Sequence, residues 1–130
     1  MLDELLRRVS SHTPRTLETD RRFPEAAVLV PITRSDEPEL ILTLRASGLS
    51  THGGEVAFPG GRRDPEDPDL IFTALREAEE EIGLPPGLVE VIGPLSPLIS
   101  LHGIRVTPYV GIIPDFVEYQ ANDAEIAAVF

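Results

Sequence analysis

The stretch Arg76-Glu77-Ala78-Glu79-Glu80-Glu81-Ile82-Gly83-Leu84 sets four glutamates within five positions, shortly after the run Phe58-Pro59-Gly60-Gly61. Upstream of it and within it, Ile71, Ala74, Leu75, Ala78 and Ile82 recur at the spacing of one helical face, so the segment reads as a helix with a core-facing stripe. Asp67 is placed as its N-cap, Pro68 suits the first helical position, and Asp69 complements the helix dipole. Gly83 supplies a stop. At ~100° per residue, Glu77 and Glu81 share one edge of this helix, with Glu80 beside them, while Glu79 points away.

Like charges three and four residues apart repel by a few tenths of a kcal/mol per pair and raise one another's pKa. A solvated acidic face is one way to tolerate them. A bound divalent cation is the other, and oxygen-only ligands suit a hard ion, magnesium or manganese, that completes its shell with water and substrate phosphate. The apolar stripe beside the carboxylate edge favours the second reading, because it anchors the acids on a rigid element.

These residues resemble the signature of the Nudix hydrolases: a glycine, five residues, a glutamate, seven residues, then Arg-Glu-aliphatic-X-Glu-Glu-X-Gly-aliphatic. Arg76, Glu77, Ala78, Glu80, Glu81, Gly83 and Leu84 match the second half. The first half departs, since Asp67 follows Gly61 at the glutamate position and eight residues separate it from Arg76. That offset is similar to the branch of the family that hydrolyses coenzyme A. A block upstream, Leu42-Thr43-Leu44-Arg45-Ala46-Ser47 followed by Leu49, His52 and Gly54 to Gly61, resembles the additional motif of that branch. A third similarity runs from Gly103 to Gly111 and on to Asn122-Asp123-Ala124-Glu125-Ile126.

The resemblance implies an α/β (α+β) fold, an α/β/α sandwich around a mixed β-sheet, here expected to lack its C-terminal helix because the chain stops at Phe130. It implies a metal-dependent hydrolase that cleaves the pyrophosphate bond of coenzyme A to 4′-phosphopantetheine and adenosine 3′,5′-bisphosphate. Two alternatives stay open: a hydrolase of another nucleoside diphosphate derivative or nucleoside triphosphate, ADP-ribose among them, and a noncatalytic binding module. Glu77, Glu81 and Glu80 are the expected metal ligands, with the Gly61 carbonyl as a further donor. Arg76 is expected to orient the acids. Either Glu80 or Glu125 is the proton acceptor, and Arg45, His52 and Arg105 are the candidates for substrate contact.

The 130 residues, 42% of them apolar, bound the answer to one domain over 1–130, with a helix and polar arm over 1–24. No run of about 18 apolar residues or signal-peptide pattern is seen, so the expectation is a cytoplasmic protein without a membrane partner. The net charge of −11 argues against a nucleic-acid partner. It does not exclude a small phosphorylated substrate, because every basic residue is arginine, the better bidentate phosphate ligand. Zero cysteines exclude disulfides and thiolate metal sites, and three histidines make a poor zinc centre. Oligomeric state is left open, a homodimer included.

The first residues read as an amphipathic helix with Leu2, Leu5, Leu6 and Val9 inward. Strands are expected over Ala26 to Ile32 and Leu40 to Leu44, paired with each other, and over Glu55 to Phe58, Leu88 to Ile92, Pro97 to Leu101 and Ile104 to Ile113. Gly60 and Gly61 read as a turn that lets backbone approach closely.

Overall fold

The computed structural model describes residues 2–13, 23–47 and 53–130. In chain order the elements are α1 (Leu2–Ser11), β1 (Glu25–Thr33), β2 (Thr43–Arg45), β3 (Val56–Ala57), β4 (Gly60–Arg62), α2 (Leu70–Ile82), β5 (Glu90–Pro94), β6 (Leu98–Ile99), β7 (Arg105–Ile113) and β8 (Ile126–Val129). A short 3₁₀ turn, Pro86–Leu88, precedes β5.

A five-stranded mixed sheet forms the centre, in the order β4-β1-β7-β5 with β6 paired on β7. β1 and β7 run parallel over their full length, Glu25 opposite Arg105 through Thr33 opposite Ile113. The near-continuous apolar sequence of β1 follows from this position, since a central strand covered on both faces has no side that favours polar residues. One face packs Ala27, Leu29 and Ile113 against Ala74, Ala78 and Ile82 of α2, with Leu84 in the same cluster. The other packs Val30, Ile32, Val110 and Ile112 against Val9 of α1, with Leu2, Leu5 and Leu6 at the margin. The two helices therefore sandwich the sheet, as the α/β/α reading expects. Burying Leu29, Ile82, Ile112 or Leu84 each contributes about 1.5–3 kcal/mol, so α2 is held chiefly by its apolar face.

A second sheet, β3-β2-β8, is antiparallel and small. It corrects the expected pairing of Leu40 to Leu44 with Ala26 to Ile32. Only the bridge Ile32↔Leu40 joins those segments, and β2 turns away to pair with β3 and β8. Gly60–Arg62, outside every expected strand, pairs antiparallel with Ala26–Val28.

The start of α2 also differs from expectation. Asp69, not Asp67, is the N-cap: its backbone is extended and its Oδ1 accepts from the Phe72 N–H at 2.8 Å. Asp67 lies two residues before the cap, its carboxylate taken by Arg76 and Thr73. Ile71 consequently sits 37% exposed, outside the stripe assigned to it. The end is as expected, with Gly83 left-handed at φ 70° and its N–H donating to the Glu79 carbonyl.

Candidate active site

β4 lies on the edge of the mixed sheet and contains two glycines, and this absence of side chains shapes the site. A Cβ on Gly61 would stand 2.6 Å from Glu77 Cδ and 2.8 Å from both its carboxylate oxygens. A Cβ on Gly60 would stand 2.4 Å from the Ala27 carbonyl oxygen. The bare strand thus lets α2 lay its carboxylates directly against the sheet edge, and they emerge in a cleft of about 590 Å³.

The cleft draws its walls from both sheets. The mixed sheet supplies Ala26, Val28, Val106, Gly60, Gly61 and Arg62; the small sheet and its loops supply Arg45, Glu55, Ala57 and Glu125. Glu77 and Glu81 come from α2, and Ser100, His102 and Ile104 from the turn before β7. Because side chains alternate along a strand, the cleft face of β1 and β7 is the one bearing Ala26 and Val106, which are register partners.

Glu81 is 1% exposed, although it is a charged residue on the helix. Burial pushes its carboxyl up to about 8, and the Glu77 charge adds to the shift, while the Arg45 charge and a hydrogen bond with the Gly60 backbone act against it. Its Oε1 is buried without a hydrogen-bond partner among the described residues. Burial likewise raises the Glu77 carboxyl, opposed by Arg76. The Glu77 charge acts directly on Glu81, so the two acids need a shared proton or a cation to neutralise them.

Arg76 organises the outer side of this pair. Its Nη1 donates to Glu77 Oε1 at 2.9 Å and to Glu80 Oε1 at 3.3 Å; its Nη2 donates to Asp67 Oδ2 at 3.0 Å and its Nε to Asp67 Oδ1 at 3.2 Å. Asp67 is itself fixed by the Thr73 hydroxyl at 2.8 Å and the Asp64 N–H at 2.9 Å. The Arg76 hydrogen bond holds the Asp67 carboxyl at about 2, so the pair is ionised at all ordinary pH values. Glu77 is therefore oriented by a chain from Thr73 through Asp67 and Arg76.

Of the residues singled out in the sequence, Glu77, Glu81, Gly61, Arg45 and Glu125 meet in the cleft. Glu80 does not line it. Its side chain is 55% exposed and turned to Arg76, because one step along the helix carries it past the sheet edge. Arg105 is not brought in either: it is the register partner of Glu25, on the strand position between the cleft-lining Ile104 and Val106. Alternation along β7 sends it to the opposite face. His52 lies outside the described residues.

Arg62, Glu55, Ser100 and His102 line the cleft without having been singled out as site residues. Of these, Glu55 alone carried a sequence signal, its place in the block from Gly54 to Gly61. Glu125 is set by a turn at Asn122, whose carbonyl accepts the Glu125 and Ile126 N–H groups and whose own N–H donates to the Glu81 carbonyl at 2.9 Å. The Ala46 N–H donates to the Glu125 carbonyl at 2.8 Å, tying the turn to β2.

Among the described residues no three His, Cys, Asp or Glu side chains stand together in a metal-holding group. The donor chemistry nevertheless fits a hard cation: two mutually repelling carboxylates, one with a buried oxygen lacking any partner, against a backbone edge kept open by glycine.

A mixed sheet between two helices, with paired glutamates entering a cleft through a glycine edge, places the molecule in the Nudix fold class. Known proteins agree. The model of the NUDIX domain matches residues 23–128, and the chain belongs to the Nudix family. It is 50% identical over 129 residues to the uncharacterized Nudix hydrolase NudL of Cronobacter sakazakii, covering 99% of this chain and 67% of that protein. It is 50% identical over 122 residues to the NudL protein of Yersinia pestis (strain Pestoides F), of which it spans 60%. Among solved structures, a C. elegans Ap4A hydrolase binary complex superposes with a TM-score of 0.68 at 20% identity, over 81% of this chain and 76% of that one. The NUDIX domain of Shewanella oneidensis NrtR complexed with ADP ribose gives 0.65 at 19% identity, over 95% and 79%. Among the described residues no helix is long and apolar enough to cross a membrane.

Proposed function

We propose that this chain hydrolyses the pyrophosphate bond of a nucleoside diphosphate derivative, coenzyme A, to 4′-phosphopantetheine and adenosine 3′,5′-bisphosphate, with magnesium or manganese as cofactor. The observation that carries the hydrolytic reading is the Glu77–Glu81 pair, Glu81 fully buried and Glu77 partly so, brought into the cleft where Gly60 and Gly61 leave the strand bare. The coenzyme A reading rests on the upstream block, whose Arg45 lines the same cleft, and on the offset position of Asp67.

Glu77 and Glu81, with the Gly61 carbonyl at the same edge, would hold the cation. When bound, the cation lowers the pKa of a coordinated water and neutralises charge on the leaving phosphate. Arg76 keeps the Glu77 carboxylate aimed at the cleft, and Asp67 keeps Arg76 from swinging outward. Glu125 is the better placed of the two candidate proton acceptors, since it faces the cleft and Glu80 does not. Arg45 meets the substrate's negative charge from the small sheet.

Incubating the protein with coenzyme A, dephospho-coenzyme A, ADP-ribose and diadenosine tetraphosphate, with magnesium or manganese, and identifying products by mass tests this reading. Coenzyme A is expected to be cleaved with a kcat/KM at least tenfold above the others. Equal efficiency on coenzyme A and ADP-ribose would remove the coenzyme A reading and leave a general Nudix hydrolase.

A further inference from the structure

We propose that Arg45 and Arg62 form a two-armed anion subsite, one arm from each sheet, that grips phosphoryl oxygens beside the glutamate pair; the proposal rests on the hydrolytic reading above and names the groups that hold the substrate's charge. Among the described residues, Arg8, Arg34, Arg63 and Arg76 are each engaged with carboxylates: Glu4, Glu90, Glu25 and the acids around α2. Arg45 and Arg62 form no such ion pair among these residues, and both line the cleft. Arg7 and Arg105 likewise form no ion pair among these residues, but neither lines the cleft; Arg45 and Arg62 are the two that meet there, where the Arg45 charge also acts on the Glu81 carboxyl.

Their placement is built into the backbone. Arg62 is the register partner of Ala26 at the sheet edge, so it projects on the cleft face that Ala26 and Val106 floor. Arg45 ends β2, where its N–H donates to the Glu55 carbonyl at 2.9 Å and its carbonyl accepts from the Gly54 N–H at 3.0 Å. Its Nε is buried with no acceptor among the described residues, a donor whose desolvation an incoming oxygen would offset. A guanidinium presents paired N–H donors in a planar fork that matches phosphoryl oxygens. The shared ligand chemistry is a phosphoryl dianion or diphosphate, which a substrate of this kind offers at its reacting bridge and also at a terminal monoester.

Calorimetric titration with inorganic pyrophosphate in the presence of chelator tests the subsite without turnover. Arg62→Ala is expected to weaken binding at least tenfold, Arg62→Lys by less, and Arg45→Lys to weaken it also; Arg34→Ala, which removes a distant arginine paired with Glu90, should leave it within twofold. Arg62→Ala should then raise KM alike for coenzyme A and dephospho-coenzyme A if the subsite takes the diphosphate, and for coenzyme A alone if it takes the terminal phosphate. Wild-type protein that binds no pyrophosphate, or Arg62→Ala and Arg45→Lys variants that bind it and coenzyme A as wild type does, would overturn the proposal. Pyrophosphate binding that depends on both arginines in a protein with no diphosphate turnover would uphold the subsite and sink the hydrolytic reading instead.

Discussion

Replacing Glu81 with glutamine should stabilise the metal-free protein, although it removes a residue proposed to be essential for turnover. Burial and the Glu77 charge raise the Glu81 carboxyl from 4.5 to about 8 in the folded state. A carboxyl raised on folding binds its proton more tightly in the native chain than in the unfolded one. Its contribution to stability is intact below about 4.5 and is lost progressively as pH rises toward 8. Each pH unit in that window costs about 1.4 kcal/mol, so at pH 7 the penalty is on the order of 3 kcal/mol. Glutamine keeps an oxygen to accept the Gly60 hydrogen bond and offers N–H donors to Glu77, with no charge to bury. Since about 1 kcal/mol shifts the melting temperature of a domain this size by roughly 3–6 °C, Glu81→Gln should melt about 10 °C higher at pH 7 in chelator. The gap should close as pH falls toward 4.5. Thermal melts of wild type, Glu81→Gln and the exposed control Glu79→Gln across pH 4.5 to 8 measure this. A Glu81→Gln variant less stable than wild type at pH 7 in chelator, or a gap independent of pH, would refute the reasoning.

Gly61→Ala should lower kcat at least tenfold while the protein still folds, because the new Cβ occupies space held by the Glu77 carboxylate and must displace it; steady-state kinetics with a circular-dichroism melt checks both halves. Magnesium or manganese should raise the melting temperature of wild type and leave the Glu77→Gln/Glu81→Gln double variant unmoved, since the ion binds a site that exists only in the folded chain. Asp67→Asn should weaken the hold on Arg76 and lower the melting temperature at neutral pH. The Asp67 carboxyl is depressed from 3.8 to about 2, so wild type is expected to lose that contribution progressively as pH falls from about 3.8 through about 2, and the two proteins should converge there.

The second helix was legible because two independent patterns, an apolar stripe and a carboxylate edge, coincide on the same 3.6-residue period. Its cap was misassigned for a physical reason: Asp67 and Asp69 both fit an N-cap, and only tertiary structure shows that Arg76 and Thr73 claim Asp67. Ile71 was placed inward by periodicity, which cannot tell where the sheet beneath the helix ends. Arg105 was misplaced because facing depends on strand register, which a single sequence does not reveal at a parallel pair. The strand character of Gly60–Arg62 was invisible to propensity, since glycine is a poor strand former that here serves the close approach of Glu77. Arg62 became visible only once Ala26 was known to be its partner.

Turnover of coenzyme A by wild type, Glu77→Gln and Glu81→Gln at subsaturating magnesium tests the central assignment most directly. Loss of a carboxylate that acts on the transition state through the cation should cost several kcal/mol, a fall of at least a hundredfold in kcat/KM for each variant, with both proteins folded. Wild-type rates in both variants would place the chemistry elsewhere in the molecule.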